Sequence, residues 1–123
     1  MRALLLLLVC LWAVPASAAI SVVQAKSDAA NDVAVTFAVA PSASNHVLIM
    51  VAISSITQTV SITGWTPAVT TCSTVTTANF RAYLFRTAGD GADTAFTATT
   101  SGTAVAHVFA IEASGTDTCA TPD

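Results

Sequence analysis

Two histidines are the side chains of this sequence best suited to acid–base chemistry, and neither lies in a catalytic motif. His46 opens one apolar run and His107 lies within another, and no Gly-x-Ser-x-Gly segment accompanies them. Nucleophilic catalysis needs a base beside the nucleophile and a third group that orients the base. We therefore expect no catalytic residues and a protein that is not an enzyme. A hydrolase would need one of these histidines beside a carboxylate in a pocket.

The acidic residues also lack the spacing of a catalytic or metal-binding set. Glu112 is the only glutamate, and the nearest acid in sequence, Asp117, follows beyond a turn. Asp90-Gly91-Ala92-Asp93 offers the oxygen ligands that Ca²⁺ prefers but not the spacing of an EF-hand loop, and Asx turns explain the same residues. Histidines and cysteines are too few and too scattered for zinc. The sequence predicts no metal site and no cofactor.

Two aromatic residues are the candidates for ligand binding. Trp65 follows a glycine at a turn, and Tyr83 lies in a segment of alternating polarity. An exposed ring of this kind can serve as a platform for a sugar, whereas a large aromatic at a turn often fills a small core. Trp65 and Tyr83 are therefore the predicted binding residues, with a core role as the competing interpretation.

Segments with a period of two must position these residues, and they indicate an all-β domain. Apolar side chains alternate from Asp32 to Val39, which predicts a strand with one buried face. The residues of that face are Val33, Val35, Phe37 and Val39. In the run from His46 to Ile53 both the odd- and the even-numbered positions are mostly apolar, which is typical of a strand that is covered on both sides or central in a sheet.

Further strands are predicted along the chain, each bounded by turn residues. They are Ile20–Ala25, Gln58–Ile62, Asn79–Thr87, Asp93–Thr100 and Ala104–Ala113, with Ser27–Asn31 as a connection and Ala68–Ala78 as either strand or loop. Within residues 19–123, no stretch has apolar residues at helical spacing for three turns. Short strands between closely spaced turns predict an antiparallel β-sandwich, either Ig-like or jelly-roll.

The first residues have the layout of a secretory signal peptide. Arg2 precedes an apolar run from Ala3 to Val14 that is too short to span a bilayer, and Ala16-Ser17-Ala18 supplies the small residues of a cleavage site. We predict a signal peptide over residues 1–18 and a mature domain over residues 19–123. An uncleaved anchor helix is the alternative. The mature chain is expected to be secreted or at the cell surface, with the periplasm as a further possibility, and not to span the membrane.

The mature chain is acidic and retains a pair of cysteines. Without Arg2 it has three cationic side chains against seven acidic ones. It therefore lacks the basic patch that binds nucleic acid or an anionic membrane surface. Cys72 and Cys119 remain after the predicted cleavage, and an oxidising compartment favours a disulfide between them. Free cysteines near loops are the alternative.

Several segments together resemble a known kind of module. They are Asn45 before an apolar run, Gly64-Trp65-Thr66, Tyr83-Leu84-Phe85 followed by Ala88-Gly89, and Glu112-Ala113-Ser114-Gly115-Thr116-Asp117 with Pro122-Asp123. In this order they resemble the N-terminal part of a β-sandwich module of secreted or surface-exposed bacterial proteins of unassigned function. The chain departs from that pattern at His46, which stands in place of an aliphatic residue, and at Ala113, which stands in place of an aromatic one.

The resemblance implies a role but not a ligand. Members of that family continue past the last segment with further strands, so we expect the domain over residues 19–123 to be truncated at its C-terminal end. An incomplete sandwich exposes strand edges and an apolar face, so we expect the mature chain to aggregate or to pair with another chain. The expected function is structural, adhesive or partner-binding, with a protein or polysaccharide at the cell surface as the partner. A carbohydrate-binding module is the alternative.

Overall fold

Residues 21–115, which the computed structural model describes, form eight β-strands and no helix. The strands are β1 (Ser21–Ala30), β2 (Asp32–Thr36), β3 (His46–Ile53), β4 (Val60–Thr63), β5 (Thr70–Thr76), β6 (Arg81–Ala88), β7 (Ala95–Thr100) and β8 (Ala106–Ser114). Every strand pairing is antiparallel. The predicted signal peptide and Cys119 lie outside the described residues.

The strands form two sheets packed face to face, which confirms the predicted antiparallel β-sandwich. The larger sheet has five strands in the order β1-β8-β3-β6-β5, and the smaller has three in the order β2-β7-β4. Strand β3 therefore lies at the centre of the larger sheet, between β8 and β6. This position agrees with the apolar side chains on both faces of β3.

The core lies between the sheets because alternate residues of each strand point inward. In β3 the odd-numbered residues are buried, and in β8 the small residues Ala106, Val108 and Ala110 are buried opposite them. The smaller sheet contributes Val33, Val35, Phe96 and Ala98. Each valine or isoleucine buried in this way stabilises the fold by roughly 1.5–3 kcal/mol relative to an exposed one.

Two details of the predicted strands are wrong. Strand β1 does not end at Ala25 but continues to Ala30, because its second half pairs with β8 at the edge of the sheet, where polar side chains remain exposed. Strand β2 ends at Thr36, so the alternation no longer holds at Val39, which is 69% exposed. The carbonyl oxygen of Val39 instead accepts a hydrogen bond from Nε2 of Gln24 at 2.8 Å.

Candidate functional site

Large apolar side chains lie on the outer face of the five-stranded sheet, which points away from the smaller sheet. The even-numbered residues of β3 point to this face because its odd-numbered residues fill the core. Met50 pairs with Leu84 of β6 on one side and with Phe109 of β8 on the other. One cross-strand row of apolar side chains therefore spans the three central strands, and Met50 and Phe109 are exposed.

The neighbouring cross-strand row has shorter side chains, so a trough forms beside the first row. Ala52 pairs with Ala82 and with His107, so two methyl groups lie beside the larger side chains of the first row. The resulting cavity has a volume of about 410 Å³. We call it the outer trough; its outward-facing residues are Met50, Ala52, Ser73, Val75, Ala82, Leu84, His107 and Phe109.

The chemistry of the outer trough suits an apolar ligand group. Among its outward-facing residues only Ser73 and His107 carry polar side-chain atoms. The next row holds Arg86, whose Nε donates a hydrogen bond to Nδ1 of His46 at 3.3 Å. None of the outward-facing residues of β3, β6 and β8 is acidic. The site can bury apolar surface.

His107 also lines a second cavity together with Ser27 and Asp28. Asp28 pairs with the inward-facing Val108 whereas His107 pairs with Ala29, so the carboxylate and the imidazole lie on opposite faces of the sheet and are not placed for proton transfer between them.

The predicted binding residue Trp65 lies in the core. It is only 9% exposed, and its ring meets those of Phe37 and Phe96 edge-on, each at a centroid distance of 6.2 Å. Its Nε1 donates a hydrogen bond to the carbonyl oxygen of Ala88 at 3.0 Å, which satisfies the polar end of the indole. This packing favours the core role over the sugar-platform role.

The other predicted binding residue, Tyr83, also faces the inner side of the larger sheet. It is half-buried and stacks on Phe85, with ring centroids 5.6 Å apart and an interplanar angle of 10°. Its hydroxyl donates to the carbonyl oxygen of Gln58 and accepts from Nη1 of Arg81, both at 3.4 Å. Trp65 and Tyr83 therefore do not share the outer face with Phe109, the exposed aromatic ring of the trough.

Several titratable residues take part in local hydrogen bonds. The hydrogen bonds described for His46 are with the Arg86 guanidinium, not with a carboxylate. Asp90 accepts hydrogen bonds from the backbone N–H groups of Ala92 and Asp93, which is Asx-turn geometry. Hydrogen bonds from the side chain and backbone of Thr66 hold the pKa of Asp93 below its ordinary value. Residues 21–115 contain no cluster of three or more His, Cys, Asp or Glu side chains that could hold a metal ion.

Glu112 is a buried carboxylate that fastens a loop to the larger sheet. It is 3% exposed. Its Oε1 accepts from Nδ2 of Asn45 at 2.5 Å and from the N–H of Ser42 at 3.0 Å, and its Oε2 accepts from Nε2 of Gln24 at 2.6 Å. Burial alone would raise the pKa of Glu112, but these three donors hold it below its ordinary value. The carboxylate therefore joins β1, β8 and the loop that precedes β3.

Sequence reasoning missed the outer trough, although one signal pointed to it. The run from His46 to Ile53 is apolar at both parities, and only one of its faces is needed for a core between two sheets. In β8 the alternation of larger and smaller residues does not by itself show which face is buried. The structure places those larger residues outside, and the smaller Val108 and Ala110 inside.

Cys72 is half-buried in β5, where the pairing with β6 shifts register between Thr71 and Ser73. Its predicted partner, Cys119, lies outside the described residues. The pairing of Cys72 with Cys119 therefore stays a prediction.

Comparison of the chain with protein-family models, with curated proteins and with solved structures found no match. The resemblance to a bacterial β-sandwich module thus rests on the quoted segments alone. Among residues 21–115 there is no helix with the length and hydropathy of a membrane span.

Proposed function

We propose that this protein is an exported, non-catalytic β-sandwich module that binds a partner protein through the outer trough. The observation that carries the proposal is the apolar row across the centre of the larger sheet, in which Met50 and Phe109 are exposed and Leu84 is half-buried. Contiguous exposed apolar surface on a folded domain marks an interaction site more often than scattered single residues do. An aromatic and a methionine side chain at its centre are typical of the core of a protein–protein interface.

The alternative of a carbohydrate-binding module has weaker support. A sugar ring presents hydroxyl groups around its rim, and a site that excludes water must offer donors and acceptors to them. The outer trough offers only the side chains of Ser73 and His107 for this purpose. An apolar side chain of a protein partner makes no such demand, because it has no polar group to desolvate.

The remaining parts of the proposal come from the sequence. Export through a signal peptide over residues 1–18 agrees with the low fraction of charged residues and with two cysteines that remain for a disulfide. We include in the proposal membership of the secreted bacterial module that the chain resembles, and a Cys72–Cys119 disulfide.

The proposed function is tested by removing one ring from the outer trough. Phe109→Ser replaces a side chain that is 41% exposed, and Val105→Ser is the matched control because Val105 is also 41% exposed but does not line the trough. We would measure binding of the purified chains to intact producing cells and to insoluble polysaccharides.

Full burial of a phenylalanine side chain is worth roughly 1.5–3 kcal/mol, and 41% of Phe109 remains exposed for a partner to cover, which leaves roughly 0.6–1.2 kcal/mol. Phe109→Ser should therefore weaken cell binding about three- to eightfold, whereas Val105→Ser should leave it unchanged. Circular dichroism would verify that both variants keep the fold. Equal losses in both variants would contradict the proposal. Polysaccharide binding that survives in Phe109→Ser would favour the carbohydrate-binding alternative.

A further inference from the structure

The two flanks of the sandwich differ in how their open strand edges are protected. Strands β1 and β2 form one flank and carry Lys26, Asp28 and Asp32, and β1 also has a register shift between Val22 and Gln24. Charged residues and bulges are the usual means of preventing an edge strand from pairing with another chain.

Among residues 21–115, strands β4 and β5 lie at the opposite sheet edges and contain no charged residue. Strand β5 has a register shift of its own between Thr71 and Ser73, but its segment from Ser73 to Thr76 is regularly paired and carries no charge. Within residues 21–115 this segment is therefore the part of the larger sheet's edges that has neither form of protection.

The alternation of hydrogen-bonded and non-hydrogen-bonded pairs between β5 and β6 shows which backbone groups of β5 point away from β6. The N–H of Thr77 donates to the carbonyl oxygen of Phe80 at 2.9 Å, so these two residues form a hydrogen-bonded pair of the antiparallel ladder. Such pairs alternate, so the next ones are Val75 with Ala82 and Ser73 with Leu84. The N–H and C=O groups of Thr74 and Thr76 consequently point away from β6.

We infer that β5 pairs with β5 of a second copy of this chain, antiparallel, about a two-fold axis at Val75. In this register Thr74 lies opposite Thr76 of the second copy, and Thr76 opposite Thr74, so the outward N–H and C=O groups form two reciprocal pairs. The two Val75 residues face each other as a non-hydrogen-bonded pair, in which side chains are close. Because one strand supplies both sides, the interface is self-complementary.

A second copy suits this edge for two further reasons. Val75 is 55% exposed in one chain, and its side chain would be covered by its symmetry mate. Val75 and Ser73 also line the outer trough, so pairing at β5 would join the two troughs into one apolar surface across a ten-stranded sheet. This pairing goes beyond the proposed function, since the trough of one chain could bind its partner without it.

Sedimentation velocity of the secreted full chain tests this pairing. We expect a reversible species of twice the monomer mass over about 1–100 μM. Val75→Lys places two like charges at the axis and should give a monomer. Val22→Lys is the matched control, because Val22 is a similarly exposed valine (60% against 55%) on the opposite edge strand, and it should leave the dimer intact.

Thr74→Pro is a second variant that acts through the backbone alone. It removes one outward N–H from each chain without removing a hydrogen bond to β6, and proline is tolerated on an edge strand in this orientation. It should weaken the dimer about tenfold or more, while Thr74→Val, which keeps the N–H, should not.

Each remaining outcome would overturn the pairing. A wild-type chain that stays monomeric over the whole range would do so, as would equal dissociation by Val75→Lys and Val22→Lys, or a Thr74→Pro chain that unfolds cooperatively and still dimerises like wild type. A dimer that persists in denaturant without reductant would show a covalent link instead of strand pairing.

Discussion

Replacing Glu112 by glutamine should destabilise the fold strongly, because this carboxylate has three donors and almost no contact with water. The substitution keeps the size of the side chain. Its amide oxygen can still accept from Asn45 and Ser42, but its amide nitrogen then faces Nε2 of Gln24, so a donor meets a donor. Gln24 cannot turn its own amide without giving up its bond to Val39.

The magnitude follows from these contacts. A hydrogen bond to a charged group is worth about 1.5–3 kcal/mol and a neutral one about 1 kcal/mol, so two weakened bonds and one lost bond together cost about 3 kcal/mol. For a domain of this size that corresponds to a decrease in Tm of about 12–24 °C. Urea and thermal unfolding of Glu112→Gln would measure both quantities.

The pH dependence gives the same prediction an independent test. The pKa of Glu112 is lowered in the folded state from 4.5, so its contribution to the free energy of unfolding is present above pH 4.5 and is lost as the pH falls through the folded-state pKa. The difference in stability between wild type and Glu112→Gln should therefore be greatest near neutral pH and shrink in acid.

An exposed carboxylate supplies the control. Asp28 is exposed and accepts its hydrogen bond from the adjacent N–H of Ala29, so Asp28→Asn should change the stability by no more than about 0.5 kcal/mol. The reasoning about Glu112 would be refuted by a Glu112→Gln protein within that same range of wild type, or by a stability difference that is unchanged between pH 7 and pH 3.

Three further predictions concern the core, a turn and the proposed disulfide. Trp65→Phe loses the hydrogen bond to Ala88 and part of the indole, and should lower the free energy of unfolding by about 2 kcal/mol in a urea titration; no change would contradict the core role. Gly89→Ala places a Cβ 2.2 Å from the carbonyl oxygen of Ser42 and should cost about 1–3 kcal/mol or more, so unaltered stability would contradict the close packing at this turn. Reduction of a Cys72–Cys119 bridge, which would close a loop of about 48 residues, should lower stability by roughly 4 kcal/mol, and identical unfolding with and without reductant would refute the bridge.

The strands could be predicted from the sequence where one face is buried and the other is not. The alternation around Val33 and Val35 and the apolar run from His46 to Ile53 correspond to β2 and β3. Strand β1 was harder to delimit, because an edge strand exposed on both faces has no period of two in its polarity. The end of β2 was missed for a related reason, since the alternation in sequence continues to Val39 after the ladder has ended.

The candidate site could not be predicted because it depends on which face of each strand turns inward. In β8 the larger Phe109 lies on the outer face, and the smaller Ala110 and Val108 fill the core. The outer trough further requires that β8, β3 and β6 be neighbours, and the chain order alone does not give that arrangement. Burial of Glu112 likewise arises from three segments that are distant in sequence.

The central claim, that the outer trough contacts a partner, is tested most directly by site-specific photo-crosslinking on producing cells. A photoreactive phenylalanine analogue would replace Phe109 in one chain and Val105 in a control chain, since both positions are exposed to the same extent and only Phe109 lines the trough. If the outer trough contacts a partner, position 109 should give one discrete adduct that excess unlabelled wild-type chain suppresses, and position 105 should give none. No adduct from position 109, or the same adducts from both positions, would contradict the claim.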